Sequence, residues 1–232
     1  MKKKHNILII DEVHPVLLEK LGDFNVSYRP DITLAELENA LLGVAVLVLR
    51  SKLRFNKKWI DKADSIKYIG RLGSGMDNID VDYAESKGIV CENAPEGNRN
   101  AVAEQTIGML LCMLANIHKG ANEVKQGVWD RKGNQGLELV NLTVGIIGYG
   151  NVGTTLAQKL SSFGCRVLAY DRFVSGFGNE VAEEVTLEQL QNESDVITLH
   201  VPLNEFSKEM VDSSFIAKVS KPFYLLNLAR GE

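Results

Sequence analysis

Cysteine, proline and tryptophan are scarce in these 232 residues, at three, five and two, and cations do not outnumber anions: 26 Lys and Arg against 30 Asp and Glu give a net charge of −4. Each shortage excludes something. Without a basic excess the chain lacks the electrostatic footprint of a nucleic-acid binder, and Lys2 to Lys4, the basic cluster at its start, reads as a solvated terminus. Cys91, Cys112 and Cys165 are odd in number, far apart and set in apolar segments, which predicts buried thiols and neither disulfides nor a metal site. No HExxH or CxxC occurs, so no metal is expected. No apolar run approaches the ~20 residues of a membrane span. The run at 7–10, which leads into Asp11 and Glu12, is too short for a signal-peptide core, so the expected location is the cytoplasm.

What is present is a chain 45% hydrophobic and 24% charged, enough for the core of one large or two small domains. Short apolar runs alternate with amphipathic segments: 6–10 then 15–21, 26–28 then 34–42, 44–49 then 57–63, 66–69 then 81–87, and finally 89–91. β-branched runs of this length, with Gly22, Gly43 and Gly88 closing the helices, predict a parallel sheet covered on both faces. This first domain is expected to end near Pro95, in the polar stretch "APEGNRN".

A single long helix is expected over 101–125, capped by Asn100. Its middle, "IGMLLCMLANI", is apolar on nearly every face and predicts burial all round, in a domain core or at a subunit interface; the interface is preferred because two small domains offer little to cover it. A second alternation follows: strand "LTVGIIG", helix 152–163, strand "CRVLAYD", a helix near 187–191, strand "DVITLH", a helix near 212–219, and strand "FYLLNLA", which reads as buried.

"GIIGYGNVG" sets Gly148, Gly150 and Gly153 in GxGxxG spacing directly after an apolar strand. The helix that it opens carries Val152, Leu156, Leu160 and Phe163 as one apolar stripe. Gly148 makes the tight turn, Gly150 admits a pyrophosphate close to the backbone, and Gly153 lets helix and strand pack, so phosphates sit on the N–H groups at the helix start. The next strand ends in Asp171, 18 residues past Gly153, where a carboxylate can accept from both hydroxyls of an adenosine ribose. A 2′-phosphate beside Asp171 would set two anions together, which favours NAD over NADP, although Arg172 could soften that discrimination.

Taken together, "RLGSGMDNID", "GIVCENAPEGNRNAVAEQTIGMLL", "VGIIGYGNVG", "LAYD", "SDVITLHVPLNE" and "LLNLARGE" resemble the D-isomer-specific 2-hydroxyacid dehydrogenases, and within that family the phosphoglycerate dehydrogenases. The resemblance implies a flavodoxin-like substrate domain over 1–97 and a Rossmann NAD-binding domain over 98–232 that lacks the family's final strands and return segment. It implies hydride transfer between NAD and a D-2-hydroxy acid in the cleft between the domains, with 3-phosphoglycerate the preferred substrate, and a homodimer through 101–125.

By the same resemblance Arg230 grips the substrate carboxylate and polarises the carbonyl oxygen. Ser74 and Gly75 form an anion nest, with Ser74 also near the nicotinamide. Asn151 and Val152 meet the pyrophosphate, Val201, Leu228 and Ala229 the nicotinamide ribose region, and His200 and Pro202 the cofactor wall. Arg50, Ser51, Lys52 and Arg54 follow the strand 44–49; a similar loop in phosphoglycerate dehydrogenases faces the substrate phosphate, and a solvated loop is the alternative.

The family's acid–base histidine, in a Thr-Pro-His context and tuned by a glutamate, lies beyond the arginine. His5, His14, His118 and His200 do not occupy that context: the first three read as surface or capping residues, His118 as the end of the long helix. The 232-residue chain is therefore expected to be a fragment that binds NAD and turns over poorly. The alternatives are a non-catalytic NAD-binding regulatory or scaffold module, or a dehydrogenase for another 2-hydroxy acid such as glyoxylate, hydroxypyruvate or D-lactate.

Overall fold

The computed structural model describes residues 5–231, which form two compact units dividing between Gly97 and Asn98. The first unit alternates β1 (Asn6–Ile9), α1 (Pro15–Lys20), β2 (Asn25–Tyr28), α2 (Leu34–Ala40), β3 (Val46–Leu49), α3 (Lys57–Lys62), β4 (Tyr68–Arg71), α4 (Val81–Ser86) and β5 (Val90–Asn93). Local chemistry starts the helices. Pro15 stands at the first position of α1, where its fixed φ suits a helix, and His14 Nδ1 accepts the Val16 N–H at 3.3 Å. Thr33 and Glu36 form a reciprocal capping box on α2.

The five strands pair in parallel in the order β2-β1-β3-β4-β5. Leu8, Leu47, Leu49 and Ile69 pack with Phe55 in one core, and Ile7, Ile9 and Val48 form a second. That is the pattern of a sheet buried on both sides. The strand order reverses between β1 and β3, so a crevice opens at their carboxyl ends.

The second unit runs α5 (Arg99–Leu114), α6 (Ile117–Lys125), β6 (Thr143–Ile147), α7 (Asn151–Leu160), β7 (Arg166–Tyr170), β8 (Glu183–Glu184), α8 (Leu187–Glu193), β9 (Val196–Leu199), α9 (Ser213–Ala217) and β10 (Tyr224–Asn227). Its parallel order is β10-β9-β6-β7-β8, the winding of a Rossmann domain, with the reversal between β6 and β9. Val144 and Ile146 pack with Leu156 and Leu160 of α7, while Ile147, Ile197 and Leu199 pack with Leu190 and Phe215.

Several expectations are corrected. The helix foreseen over 101–125 is two helices, because Asn116 takes the left-handed conformation at φ 52°. The segment at 135–137 runs against this break: the Leu137 N–H donates to Leu114 O at 3.0 Å and Asn116 Nδ2 to Gln135 O at 3.3 Å. Gly136 has no room for a side chain, since a Cβ there would lie 2.7 Å from Leu114 O. His118 accordingly sits in the first turn of α6, and the residue preceding α5 is Asn98 in place of Asn100.

Within the single chain this region is only partly buried. Ala103, Thr106, Leu110 and Leu114 are buried, while Met109, Ile117 and Val124 are exposed. Phe163 leaves the apolar stripe, because the last turn tightens to a 3₁₀ turn, Ser161–Phe163, that lifts it outward. Among the described residues β10 pairs with β9 alone, with Leu226 buried and Tyr224 and Leu225 exposed. Of the three thiols, Cys165 alone is fully buried and the other two are half-buried; all are free.

Candidate functional site

The turn after β6 has the geometry that its glycines predict. Gly148 sits at φ 97° with its N–H on Tyr170 O, and a Cβ on it would fall 2.6 Å from His200 O. A Cβ on Gly153 would fall 2.1 Å from Gly148 O, so strand and helix meet with no room to spare. Gly150 differs. A Cβ there meets nothing within 4 Å, which leaves open ground in front of α7, where the first N–H groups of a helix lack internal acceptors and attract a phosphate.

Asp171 stands beside this turn. Its Oδ2 accepts the Tyr149 N–H at 2.9 Å, and its Oδ1 accepts those of Phe173 at 2.9 Å and Val174 at 3.1 Å. A carboxylate offers about four lone-pair positions, so a ribose hydroxyl can still be held there.

Gly148, Gly150, Asp171, His200, Val201 and Pro202 line one cavity of about 330 Å³ at the carboxyl ends of β6, β7 and β9. Its rim carries Arg172, whose guanidinium lies 4.2 Å from the Phe206 ring centre, and Phe173, edge-on to the same ring at 5.7 Å. An acidic residue for sugar hydroxyls, a flat apolar rim and open helix N–H groups in one line fit a dinucleotide. Asn151 and Val152 form the first turn of α7, and Gly153 is buried beneath it.

His200 leads out of β9. Its Nε2 lies 3.0 Å from Thr198 Oγ1, and desolvation lowers its pKa to about 4, so the ring is neutral near pH 7. That suits a cavity wall better than a proton shuttle.

Ala229 and Arg230 line a neighbouring cavity of about 610 Å³, which shares Val201 and Pro202 with the first. Leu228 turns instead toward the core beneath the sheet. The bend after β10 is shaped by Asn227, whose Oδ1 accepts the Ala229 N–H at 3.0 Å while its Nδ2 donates to Arg230 O at 2.7 Å. Arg230 itself is exposed and donates to Ala229 O at 2.9 Å.

In the first unit, Ser74 and Gly75 follow β4. Asn93 Nδ2 donates to Ser74 O at 2.6 Å, and the Ala94 N–H to Gly73 O at 3.0 Å, so the strand end of β5 shapes this loop. The loop after β3 presents Arg50 and Ser51 to solvent. Its other cations point elsewhere: Lys52 Nζ donates to Pro30 O, and Arg54 lines a polar cavity of about 410 Å³ with Asp77, Asp80 and Asp82.

Sequence reasoning overlooked Asp11 and Asn78, which hold the 50–55 loop, and Glu184, whose carboxylate gathers the N–H groups of Gly176, Phe177 and Gly178. Only the position of Asp11 at the end of the first strand hinted at a role. Among the described residues no group of His, Cys, Asp and Glu is placed to hold a metal, and no helix is long and apolar enough to cross a membrane.

Comparison with known proteins accords with this geometry. Residues 107–232 match the family model described as "D-isomer specific 2-hydroxyacid dehydrogenase, NAD binding domain". The D-3-phosphoglycerate dehydrogenase of Methanocaldococcus jannaschii is 36% identical over 234 residues, 97% of this chain and 44% of that protein. The hydroxypyruvate reductase of Thermotoga maritima is 37% identical over 196 residues, 84% of this chain and 64% of that protein. A solved D-lactate dehydrogenase from Aquifex aeolicus, complexed with NAD and lactic acid, matches with a TM-score of 0.82 at 26% identity, covering 98% of this chain and 69% of that one. The chain thus spans less than two thirds of the length of either curated relative. The cofactor of the second unit is NAD, and the chain belongs to the D-isomer specific 2-hydroxyacid dehydrogenase family.

Proposed function

We propose that this chain carries the NAD-binding and substrate-gripping parts of an oxidoreductase for a D-2-hydroxy acid, with 3-phosphoglycerate its substrate. The observation that carries the reading is the junction of the open helix start at Gly150 with the carboxylate of Asp171 in one cavity. NAD, when bound, supplies the hydride acceptor or donor. The protein's own groups bind and orient: the turn at 148–153 takes the pyrophosphate, Asp171 a ribose hydroxyl, and Val201, Pro202 and neutral His200 exclude water from the wall.

Arg230 is the catalytic residue of this reading. Its planar, permanently charged fork suits a carboxylate and a developing negative charge on the carbonyl oxygen, and the Asn227 bonds hold its backbone at the mouth of the larger cavity. Ser74 and Gly75 offer backbone N–H groups to the substrate anion, for among the described residues nothing accepts from them. Arg50 is the cation for the substrate phosphate. The exposed faces around Met109, Ile117 and Val124 support a homodimer, and the three free thiols support a cytoplasmic setting.

The test is reduction of phosphohydroxypyruvate, hydroxypyruvate and glyoxylate by the protein with NADH. The phosphorylated acid is expected to have the highest kcat/KM, and a preference for either other acid overturns the substrate assignment. A regulatory NAD-binding module is the second reading, favoured by the low pKa of His200, which unfits the histidine in the cavity wall for proton transfer near pH 7. NAD binding with no calorimetric binding of any of the three acids supports it; poor turnover alone does not.

A further inference from the structure

We propose that Asp11 and Asn78 are positioning residues for phosphate recognition, clamping the 50–55 loop from two sides so that Arg50 is held in place for the substrate's phosphate. This rests on the reading of Arg50 as the phosphate cation.

A solvent-facing loop bearing a long cationic side chain pays conformational entropy whenever it orders around a ligand. Here the backbone around Arg50 is fixed beforehand. Asp11 leaves the carboxyl end of β1 and is 9% exposed; its Oδ2 accepts the Arg50 N–H at 2.7 Å and its Oδ1 the Lys52 N–H at 3.3 Å. From the other side, Asn78 Nδ2 donates to Arg50 O at 2.9 Å and to Leu53 O at 3.0 Å, while Asn78 O accepts the Phe55 N–H at 2.7 Å.

Both backbone polar groups of Arg50 are therefore engaged by side chains distant in sequence. Leu53 and Phe55 are buried and anchor the end of the loop in the core, and Lys52 Nζ is tethered to Pro30 O. Arg50 and Ser51 face outward at the β1/β3 reversal, where ligands of open parallel sheets bind, and Arg50 is the cation of the two.

The sign of the effect separates positioning from simple electrostatics. Asp11 is an anion close to where a phosphate would lie, so on charge alone Asp11→Asn strengthens binding of a phosphorylated substrate. If Asp11 positions the loop, the same substitution weakens it, because a neutral amide holds two N–H groups less well than a carboxylate.

The experiment measures by calorimetry the association constants of phosphohydroxypyruvate and of hydroxypyruvate, with NADH present, for wild type, Asp11→Asn, Asn78→Ala and Arg50→Gln. Loss of a charge-assisted phosphate contact in Arg50→Gln is expected to lower the ratio of the two by at least about tenfold. Asp11→Asn and Asn78→Ala are expected to lower that ratio by at least about fivefold, chiefly through weaker binding of the phosphorylated acid. A fall for Arg50→Gln with no fall for the other two overturns the clamp and leaves the phosphate reading standing. An unchanged ratio in Arg50→Gln overturns both.

Amide exchange of the unmodified protein keeps the test decisive should a variant misfold. The Arg50 and Lys52 N–H groups should exchange at least about tenfold more slowly than that of Ser51. Equal rates would overturn the clamp.

Discussion

Asp171, at the end of β7, holds the glycine turn at the end of β6: its Oδ2 accepts the Tyr149 N–H at 2.9 Å. One carboxylate thus holds the glycine turn and lines the cavity proposed for the cofactor. Asp171→Ala is expected to lower the affinity for NAD roughly 10- to 100-fold, the range of a hydrogen bond to a charged group. The affinity for NADP should fall less, since the anion that repels its 2′-phosphate is gone. Calorimetry with both dinucleotides reads the two effects, and an unchanged affinity for NAD would take Asp171 out of the site.

The glycines at 150 and 153 should separate binding from folding. Gly153→Ala forces a Cβ to 2.1 Å from Gly148 O, so it should destabilise the fold by ~1–3 kcal/mol in urea denaturation. Gly150→Ala meets no protein atom within 4 Å, so the fold should survive while NAD binding weakens at least about tenfold as the methyl enters the phosphate's ground. Normal NAD binding by Gly150→Ala would place the phosphates elsewhere.

His200 sets an acid limit on stability. Its pKa is lowered from 6.5 to about 4 in the fold, so below pH 6.5 the unfolded chain takes up a proton that the folded chain refuses. Its contribution to stability is complete above 6.5 and falls as the pH drops toward 4. At pH 5 the loss relative to pH 7 from this group should be about 2 kcal/mol. Urea denaturation at the two values should show a smaller difference in His200→Gln, and an equal difference would contradict a buried neutral ring.

The faces of α5 and α6 that carry Met109, Ile117 and Val124 are proposed to meet a second copy. Sedimentation velocity should give a dimer for the unmodified chain and a monomer for Met109→Asp, with NAD affinity changed less than about twofold because the residue lies outside the nucleotide cavity. A monomeric unmodified chain would refute this interface.

The legible parts are those whose causes are local. The β6-turn-α7 unit could be read because Gly148 and Gly153 answer to contacts a few residues away or one strand over, and Asp171 follows at the end of the next strand. The break at Asn116 could not, since Leu137, whose N–H donates to Leu114 O, and Gly136, which packs against that oxygen, come twenty residues or more later. β8 is only Glu183–Glu184, with no apolar run to announce it; the edge of β7 makes it a strand. Asp11 looked like the end of an apolar run, and its partners Arg50 and Lys52 stand 39 and 41 residues on, brought near by the pairing of β1 with β3.

The most direct test of the dinucleotide site is calorimetric titration of the 232-residue chain with NAD and, separately, with NADP. One NAD per chain, bound at least about tenfold more tightly than NADP, is the predicted result. No heat with NAD, or equal affinity for the two, would contradict it.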